Sequence, residues 1–188
     1  MQRLIILLPV LILLTFSNVQ SQTTDAPSNG SKALLFDFAG LSNLGANAYN
    51  GGIGGKYFLS DQTALRAMLL FGLDNRSLAG AKNDDVQFGL SAGLEYHLPI
   101  STHVSPYVGG LLIAKTEDTK MTGATSTSTS AGVAGIAGVE YFFNKNISLA
   151  AEYQFGLTAT NTTQSPGDTQ QELQIGFQTA NLTLGVYF

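Results

Sequence analysis

Six charged residues lie inside segments that have the pattern of β-strands, and these are the side chains best placed for chemistry. Two are bases and four are acids. Brought together, they could form ion pairs, or they could line a polar constriction in which the surplus of acid favours cations. We predict the first arrangement, a structural charge network in which the bases pair with the acids. The residues are Asp37, Lys56, Arg66, Glu95, Glu140 and Glu152.

Nucleophilic and metal chemistry have few candidates. The chain contains two histidines, His97 and His103, and no cysteine. Without cysteine we expect no zinc site. A hydrolase of the serine–histidine–acid type needs its groups within hydrogen-bonding reach of one another, and near loops that a substrate can approach, whereas His97 falls beside a short predicted turn. We therefore predict no catalytic residue, no metal and no cofactor.

Charge is scarce along the whole chain of 188 residues. Charged residues make up 12%, compared with about 25% in a typical soluble domain. Hydrophobic residues are 44%, which is ordinary, and 21 glycines together with Ser, Thr, Asn and Gln replace the missing charge. This composition is typical of strands and turns. The net charge of −4 and the scattered bases exclude a nucleic-acid footprint.

The N-terminus has the features of an export signal. Arg3 precedes an apolar run at residues 4–16, and Val19 and Ser21 fit a cleavage site. The run is shorter than the roughly 20 residues of a transmembrane helix, which disfavours a signal anchor. We predict a signal peptide over residues 1–21 and a polar lead-in over residues 22–31.

A short pattern recurs along the rest of the chain. GGKYFL begins at Gly54, GLEYHL at Gly93 and GVEYFF at Gly138, and GVYF is the last four residues. Such self-similarity marks a repeated structural unit. The residues around each copy alternate with period two, which indicates β-hairpins.

Eight strands follow from this periodicity, joined alternately by short and long connections. We predict strands over residues 32–41, 49–59, 63–73, 85–98, 103–115, 128–143, 147–159 and 171–188. The tight connections are residues 60–62, 99–102 and 144–146. The long connections, rich in Gly, Asn, Thr, Ser and Asp as loops are, are residues 42–48, 74–84, 116–127 and 160–170. Short turns at one end and long loops at the other are typical of a transmembrane β-barrel.

Alternation within the strands separates an apolar face from a polar one. In the seventh strand the apolar row runs from Ile147 to Leu157, and Glu152 lies in the opposite row. The same test places each of the six charges opposite the wider apolar row. A soluble barrel has the inverse arrangement, so an apolar exterior predicts lipid outside. Closure is then required, because an open edge in hydrocarbon leaves backbone groups unpaired.

Tyrosines gather beside the short turns, where an interfacial aromatic belt is expected. Tyr187 and Phe188 lie at the same end. We predict that the belt consists of Tyr57, Tyr96, Tyr107 and Tyr141.

The eighth strand fits the alternation only in part. Leu173 and Ile175 have odd parity, whereas Leu182 and Leu184 have even parity. A β-bulge near residues 179–181 would place all four on one face. The alternative is an upper interior that is partly apolar.

The stretches GGIGGKYFLSDQTALRA, VSPYVGG and GVEYFFNKNISLAAEYQFG resemble the small outer-membrane β-barrel domain family, similar to the barrel of OmpA, to OmpX and to opacity-type porin-like proteins. The resemblance covers residues 32–188. It implies an all-β, eight-stranded, antiparallel up-and-down barrel in a Gram-negative outer membrane, with both termini in the periplasm. It also implies that periplasmic chaperones and the barrel-insertion machinery handle the chain, and that the machinery reads the last strand. The residues of that signal are Leu182, Leu184, Val186, Tyr187 and Phe188.

We therefore expect an integral outer-membrane barrel with a structural or surface-interaction role, its lumen filled by polar side chains and its long extracellular loops carrying any recognition. Its expected partners are outer-membrane lipid and an extracellular molecule of unknown identity. One alternative is a narrow channel or transporter for small or apolar solutes, supported by the apolar upper part of the eighth strand. Another is a soluble secreted barrel of the lipocalin kind, disfavoured by the inward charges and by Phe188.

Overall fold

Eight antiparallel strands close into one barrel in the computed structural model, which describes residues 27–39, 48–78, 81–98, 101, 103–121, 124–165 and 167–188. Each strand pairs with the next in the chain, and β1 closes the ring by pairing with β8. The predicted up-and-down barrel is confirmed. The strands are β1 (Lys32–Ala39), β2 (Ala48–Phe58), β3 (Thr63–Leu78), β4 (Ala81–His97), β5 (Val104–Met121), β6 (Ala124–Asn144), β7 (Ile147–Gln164) and β8 (Asp168–Tyr187).

The predicted signal peptide and the first half of the lead-in lie outside the described residues. Their boundaries stay a prediction. No helix in the described part of the chain has the length and apolar character needed to span a membrane.

The barrel closes through its first and last strands. Residues 33–39 of β1 pair with residues 181–187 of β8. Beyond this ladder, the Phe188 amide donates to the Lys32 carbonyl at 2.9 Å, and the Asn146 side-chain amide donates to the Tyr187 carbonyl at 3.0 Å. Closure supplies partners for the backbone groups that an open edge would leave unpaired in lipid.

Three of the connections predicted as long loops are instead paired strands that lengthen the hairpins. β3 continues to Leu78 and β4 starts at Ala81, and the other two hairpins extend in the same way to Met121 and Ala124 and to Gln164 and Asp168. The prediction of loops at residues 74–84, 116–127 and 160–170 was therefore wrong. Thr and Ser indicated exposure correctly, but β-branched Thr also favours strands, and each polar stretch pairs with a polar stretch on its neighbour. Residues 42–47 lie outside the described residues.

A register shift in β8 confirms the predicted bulge. Tyr153 pairs with Ala180, whereas Phe155 pairs with Phe177, so one residue of β7 faces two of β8 between these points. The extra residue inverts the alternation. Leu173 and Ile175 are consequently exposed on the outer face, the same face as Val186.

The outer face is apolar and the inner face carries the charge, as the alternation predicted. Large apolar side chains stand exposed around the barrel, with Leu112 65% and Phe88 64% accessible. The six predicted charges are all buried inside. This arrangement requires lipid around the barrel.

Candidate functional site

The centre of the lumen is crossed by a bidentate ion pair. Arg66 on β3 donates through Nη1 to Glu152 Oε2 at 2.8 Å and through Nη2 to Glu152 Oε1 at 3.0 Å. Glu152 lies on β7, four strands from β3 in a ring of eight, so the two residues project from opposite walls. A planar guanidinium matches a carboxylate in this geometry, which makes the pair both strong and directional.

A second pair crosses the lumen beside the first. Lys56 on β2 reaches Glu140 on β6, again four strands away, with Nζ 3.1 Å from Oε2. Glu95 on β4 joins the two pairs, because its oxygens lie 2.8 Å from Lys56 Nζ and 2.9 Å from Arg66 Nη1. The structure thus brings five of the six predicted charges into one connected cluster. We call these five residues the lumen cluster: Lys56, Arg66, Glu95, Glu140 and Glu152.

Neutral hydroxyl groups donate further hydrogen bonds to two carboxylates of the lumen cluster. Tyr187 and Ser148 donate to Glu140 Oε1 at 2.7 and 2.5 Å, and Tyr107 donates to Glu152 Oε2 at 3.0 Å. Three carboxylates face only two bases, so further donors are needed to stabilise the excess negative charge. Sequence reasoning did not assign these hydroxyls to the network; their inward parity beside the charges was the available signal.

Asp37 does not belong to this cluster. Its carboxylate accepts a hydrogen bond from Thr183 Oγ1 at 2.7 Å, and it faces a cavity whose wall also includes Arg66. The expected pairing of Asp37 with a base is replaced by this hydroxyl contact, because Thr183 on β8 lies directly beside Asp37 in the β1–β8 ladder.

His97 links the cluster to a serine. Its Nε2 lies 3.0 Å from Glu95 Oε2 and its Nδ1 lies 3.2 Å from Ser105 Oγ. The connectivity resembles that of a serine–histidine–acid triad. However, all three residues are buried, and Glu95 also contacts both bases of the cluster. The contacts support a packing role, because a nucleophile needs open space where a substrate can approach.

An apolar layer lies between the lumen cluster and the end with short turns. Tyr187 packs its ring against Phe58 and Phe142, with centroids 6.3 and 5.6 Å apart. Phe58 in turn lies 5.1 Å from the His97 ring. These rings come from different walls and fill the section below the charges. The apolar layer consists of Ala33, Phe58, Ala64, Phe142 and Tyr187. Leu35 and Met68 belong to the same buried cluster but lie further toward the lengthened hairpins.

Three of the four predicted belt tyrosines point outward, and one does not. Tyr57, Tyr96 and Tyr141 are 41–45% exposed, whereas Tyr107 is 2% exposed. Its placement in the belt was wrong. Tyr107 shares its row of β5 with Ser105 and Lys115, and this was the signal for the inner face. The Tyr107 phenol is held inside by Glu152 and by Lys56, whose Nζ lies 5.4 Å from the ring centroid.

The C-terminal residues divide between the two faces. Val186 and Phe188 are exposed on the outside, Leu182 and Leu184 are half-buried in the same row, and Tyr187 points into the lumen. Tyr187 therefore lies away from the outer aromatic belt. Among the residues the structure describes, no group of three or more His, Asp or Glu side chains is arranged to hold a metal ion.

Solved structures of small outer-membrane barrels share this fold. OprG from Pseudomonas aeruginosa aligns with a TM-score of 0.59 at 15% identity, covering 88% of this chain and 99% of that one. Neisserial surface protein A aligns with a TM-score of 0.52 at 19% identity, covering 84% and 93%. Ail, the attachment invasion locus protein of Yersinia pestis, aligns with a TM-score of 0.51 at 16% identity, covering 85% and 99%.

Comparison of the sequence with family models assigns the chain to a family, whereas the solved structures show only the shared fold. No curated protein matches the chain. A family model described as the outer membrane protein β-barrel domain matches residues 8–188, which include every strand of the barrel. With its apolar exterior, its closed ring and this match, the chain belongs to the outer membrane protein β-barrel domain family and is located in the bacterial outer membrane.

Proposed function

We propose that this protein is a non-catalytic outer-membrane barrel with a closed lumen, and that it has a structural or surface-interaction role. The observation that carries the proposal is the pair of ionic contacts that span the lumen, Arg66 with Glu152 and Lys56 with Glu140. Each joins opposite walls. Passage of an ion along the axis would require these charges to separate inside a low-dielectric interior, where an unpaired charge is costly.

The apolar layer supports the same proposal independently. Its aromatic rings occupy the lumen on the short-turn side of the charges. An interior of eight strands is just wide enough to be filled by side chains. A solute would therefore have to displace both an ionic layer and an apolar layer.

The lengthened hairpins offer the surface for an interaction role. We infer that they project from the outer side of the membrane, with both termini in the periplasm. Their outward rows are polar, as at Asp118, Thr127 and Asn161. Recognition would then use the faces of a rigid sheet, in which Thr127 Oγ1 donates to Asp118 Oδ1 at 2.7 Å.

The two alternative functions, a channel for apolar solutes and a soluble lipocalin-like barrel, have no supporting observation in the described residues. Leu173 and Ile175, the basis for an apolar transport path, are exposed on the outer face. The lipocalin alternative does not fit an exterior on which Leu112 and Phe88 are largely exposed, nor the outer-membrane family. We propose outer-membrane lipid as the partner of that exterior, and the barrel-insertion machinery as the transient partner of the terminal strand.

Conductance across a planar lipid bilayer tests the closed lumen. The wild-type barrel is expected to give no current steps above those of the bare bilayer. A double variant, Arg66→Ala with Glu152→Ala, removes the bidentate pair and is expected to produce small steps. Leu112→Ala, on the outer face, is the matched control and should behave as wild type. Regular steps from the wild-type protein would overturn the proposal in favour of a channel.

A further inference from the structure

A small cavity lies on the hairpin side of the lumen cluster and has no role in the closed-barrel proposal. Its volume is about 80 Å³. Part of the wall is apolar, formed by side chains such as Leu111 and Ile113. The polar part combines amide side chains with charged ones of both signs. The amides are Asn50, Gln87, Gln154 and Asn181, and the charged residues are Asp37, Arg66 and Lys115.

Two buried polar atoms in this wall lack a hydrogen-bond partner. One is Arg66 Nε, a donor, and the other is Asn181 Oδ1, an acceptor. Both residues are more than nine-tenths buried. A buried polar atom without a hydrogen-bond partner destabilises the fold, so each one marks a position where a ligand atom would stabilise the protein.

The two unpaired atoms belong to side chains that share Glu152 as a neighbour. The Arg66 guanidinium binds Glu152, and Asn181 is the direct cross-strand neighbour of Glu152 in the β7–β8 ladder. Cross-strand neighbours on one face stand about 5 Å apart at Cβ. One small molecule in the cavity can therefore reach both the guanidinium and the Asn181 amide.

The wall carries bases at Arg66 and Lys115 and an acid at Asp37, and Glu152 lies against Arg66, so charges of both signs disfavour a simple ion. A cation at Asn181 Oδ1 would lie near the Arg66 guanidinium, and an anion at Arg66 Nε would lie near the carboxylates of Asp37 and Glu152. A neutral molecule with an acceptor at one end and a donor at the other satisfies both atoms without either conflict.

Size limits the ligand further. A protein cavity of about 150 Å³ holds benzene, so one of about 80 Å³ holds a molecule of roughly half that size. A primary amide has this size. Its carbonyl can accept from Arg66 Nε–H, its NH₂ group can donate to Asn181 Oδ1, and a short alkyl group can contact the apolar part of the wall.

We propose that this cavity is a binding site for a small uncharged solute of the primary-amide class. Arg66 and Asn181 supply its donor and its acceptor. The inference goes beyond the structural role, and it does not depend on whether the lumen conducts.

Saturation-transfer NMR on the folded barrel in detergent micelles tests the site, with acetamide as the probe. Acetamide is expected to give a saturable signal. Asn181→Leu is expected to weaken binding roughly tenfold, as the loss of one well-made hydrogen bond does. Thr162→Val, an inward residue of the lengthened β7–β8 hairpin that is not part of the cavity wall, is the matched control and should bind as wild type.

Two further comparisons make the result decisive. Gln87→Leu changes the same cavity from β4 and leaves the residues of the lumen cluster unchanged. It is therefore the replacement variant if Asn181→Leu does not fold. Acetate and acetamidinium, each similar in size to acetamide but charged, are expected to bind more weakly. The proposal is overturned if acetamide gives no saturable signal, because the cavity would then hold water only. It is also overturned if neither cavity variant changes the signal, because acetamide would then bind elsewhere, or if the charged probes bind equally well, because the site would then not select a neutral amide.

Discussion

Arg66 on β3 binds Glu152 on β7 across the full width of the barrel, through two contacts of 2.8 and 3.0 Å. Because both side chains are buried, removing Glu152 breaks both contacts and leaves the guanidinium with the single contact from Nη1 to Glu95. We expect Glu152→Gln to lower the free energy of unfolding by about 3–5 kcal/mol. Equilibrium unfolding in urea, with the barrel in lipid vesicles, measures this loss.

A double-mutant cycle isolates the interaction itself. Arg66→Met combined with Glu152→Gln should destabilise the barrel by clearly less than the sum of the two single variants, because each single variant already removes the pair. Asp118→Asn, on the exposed outer row of the β5–β6 hairpin, is the control and should change stability by less than about 0.5 kcal/mol. Additive single effects would show that Arg66 and Glu152 do not interact.

The lumen position of Tyr107 can be tested by removing a single oxygen atom. Tyr107→Phe deletes the hydroxyl that donates to Glu152 at 3.0 Å. A hydrogen bond to a charged group is worth about 1.5–3 kcal/mol, and we expect a loss in that range by urea unfolding. Tyr141→Phe makes the same chemical change on the outer face and should have little effect. Equal effects at the two positions would contradict the inward placement of Tyr107.

Disulfide formation can test the lengthened β5–β6 hairpin, since the chain has no native cysteine. Asp118 and Thr127 pair directly across the two strands. Cysteines at both positions should form a disulfide under mild oxidation, because direct neighbours are within the Cα separation that a disulfide spans. Cysteines at Asp118 and Thr125 lie two residues out of register and should cross-link poorly. A flexible loop would cross-link both pairs with similar efficiency.

The bulge in β8 decides which side chains contact lipid above it. Ile175 points outward beside Leu157, so a fluorophore attached to Ile175→Cys should be quenched by brominated lipid. The same fluorophore on Gln174→Cys should be quenched much less. Without the bulge Gln174 would share the outward parity of Leu182, and the two results would be exchanged.

Several features of this protein follow from local sequence alone. Side chains of a strand alternate between two faces, so the rows around Glu152 and Lys56 were assigned to the interior before any strand was paired. The parity conflict between Leu173 and Leu182 likewise indicated a bulge near residues 179–181, next to the observed register shift. The alternation also allowed a partly apolar interior, and only the strand pairing decided between the two.

Other features depended on contacts between distant strands. Polar composition did not distinguish a loop from a paired hairpin at residues 116–127, since pairing depends on the neighbouring strand. A tyrosine beside a short turn fits either an outer belt or the lumen, and the contacts of Tyr107 with Glu152 and Lys56 place it in the lumen.

The choice of charge partners is the clearest example of this difference. The sequence by itself determined that six charges face inward, because that property depends only on alternation within each strand. Closure of eight strands then placed β3 opposite β7 and β2 opposite β6. That geometry decided that Arg66 pairs with Glu152, Lys56 with Glu140 and Asp37 with Thr183, since an ion pair requires its atoms to meet in space and the chain separates them by more than eighty residues in the first two pairs.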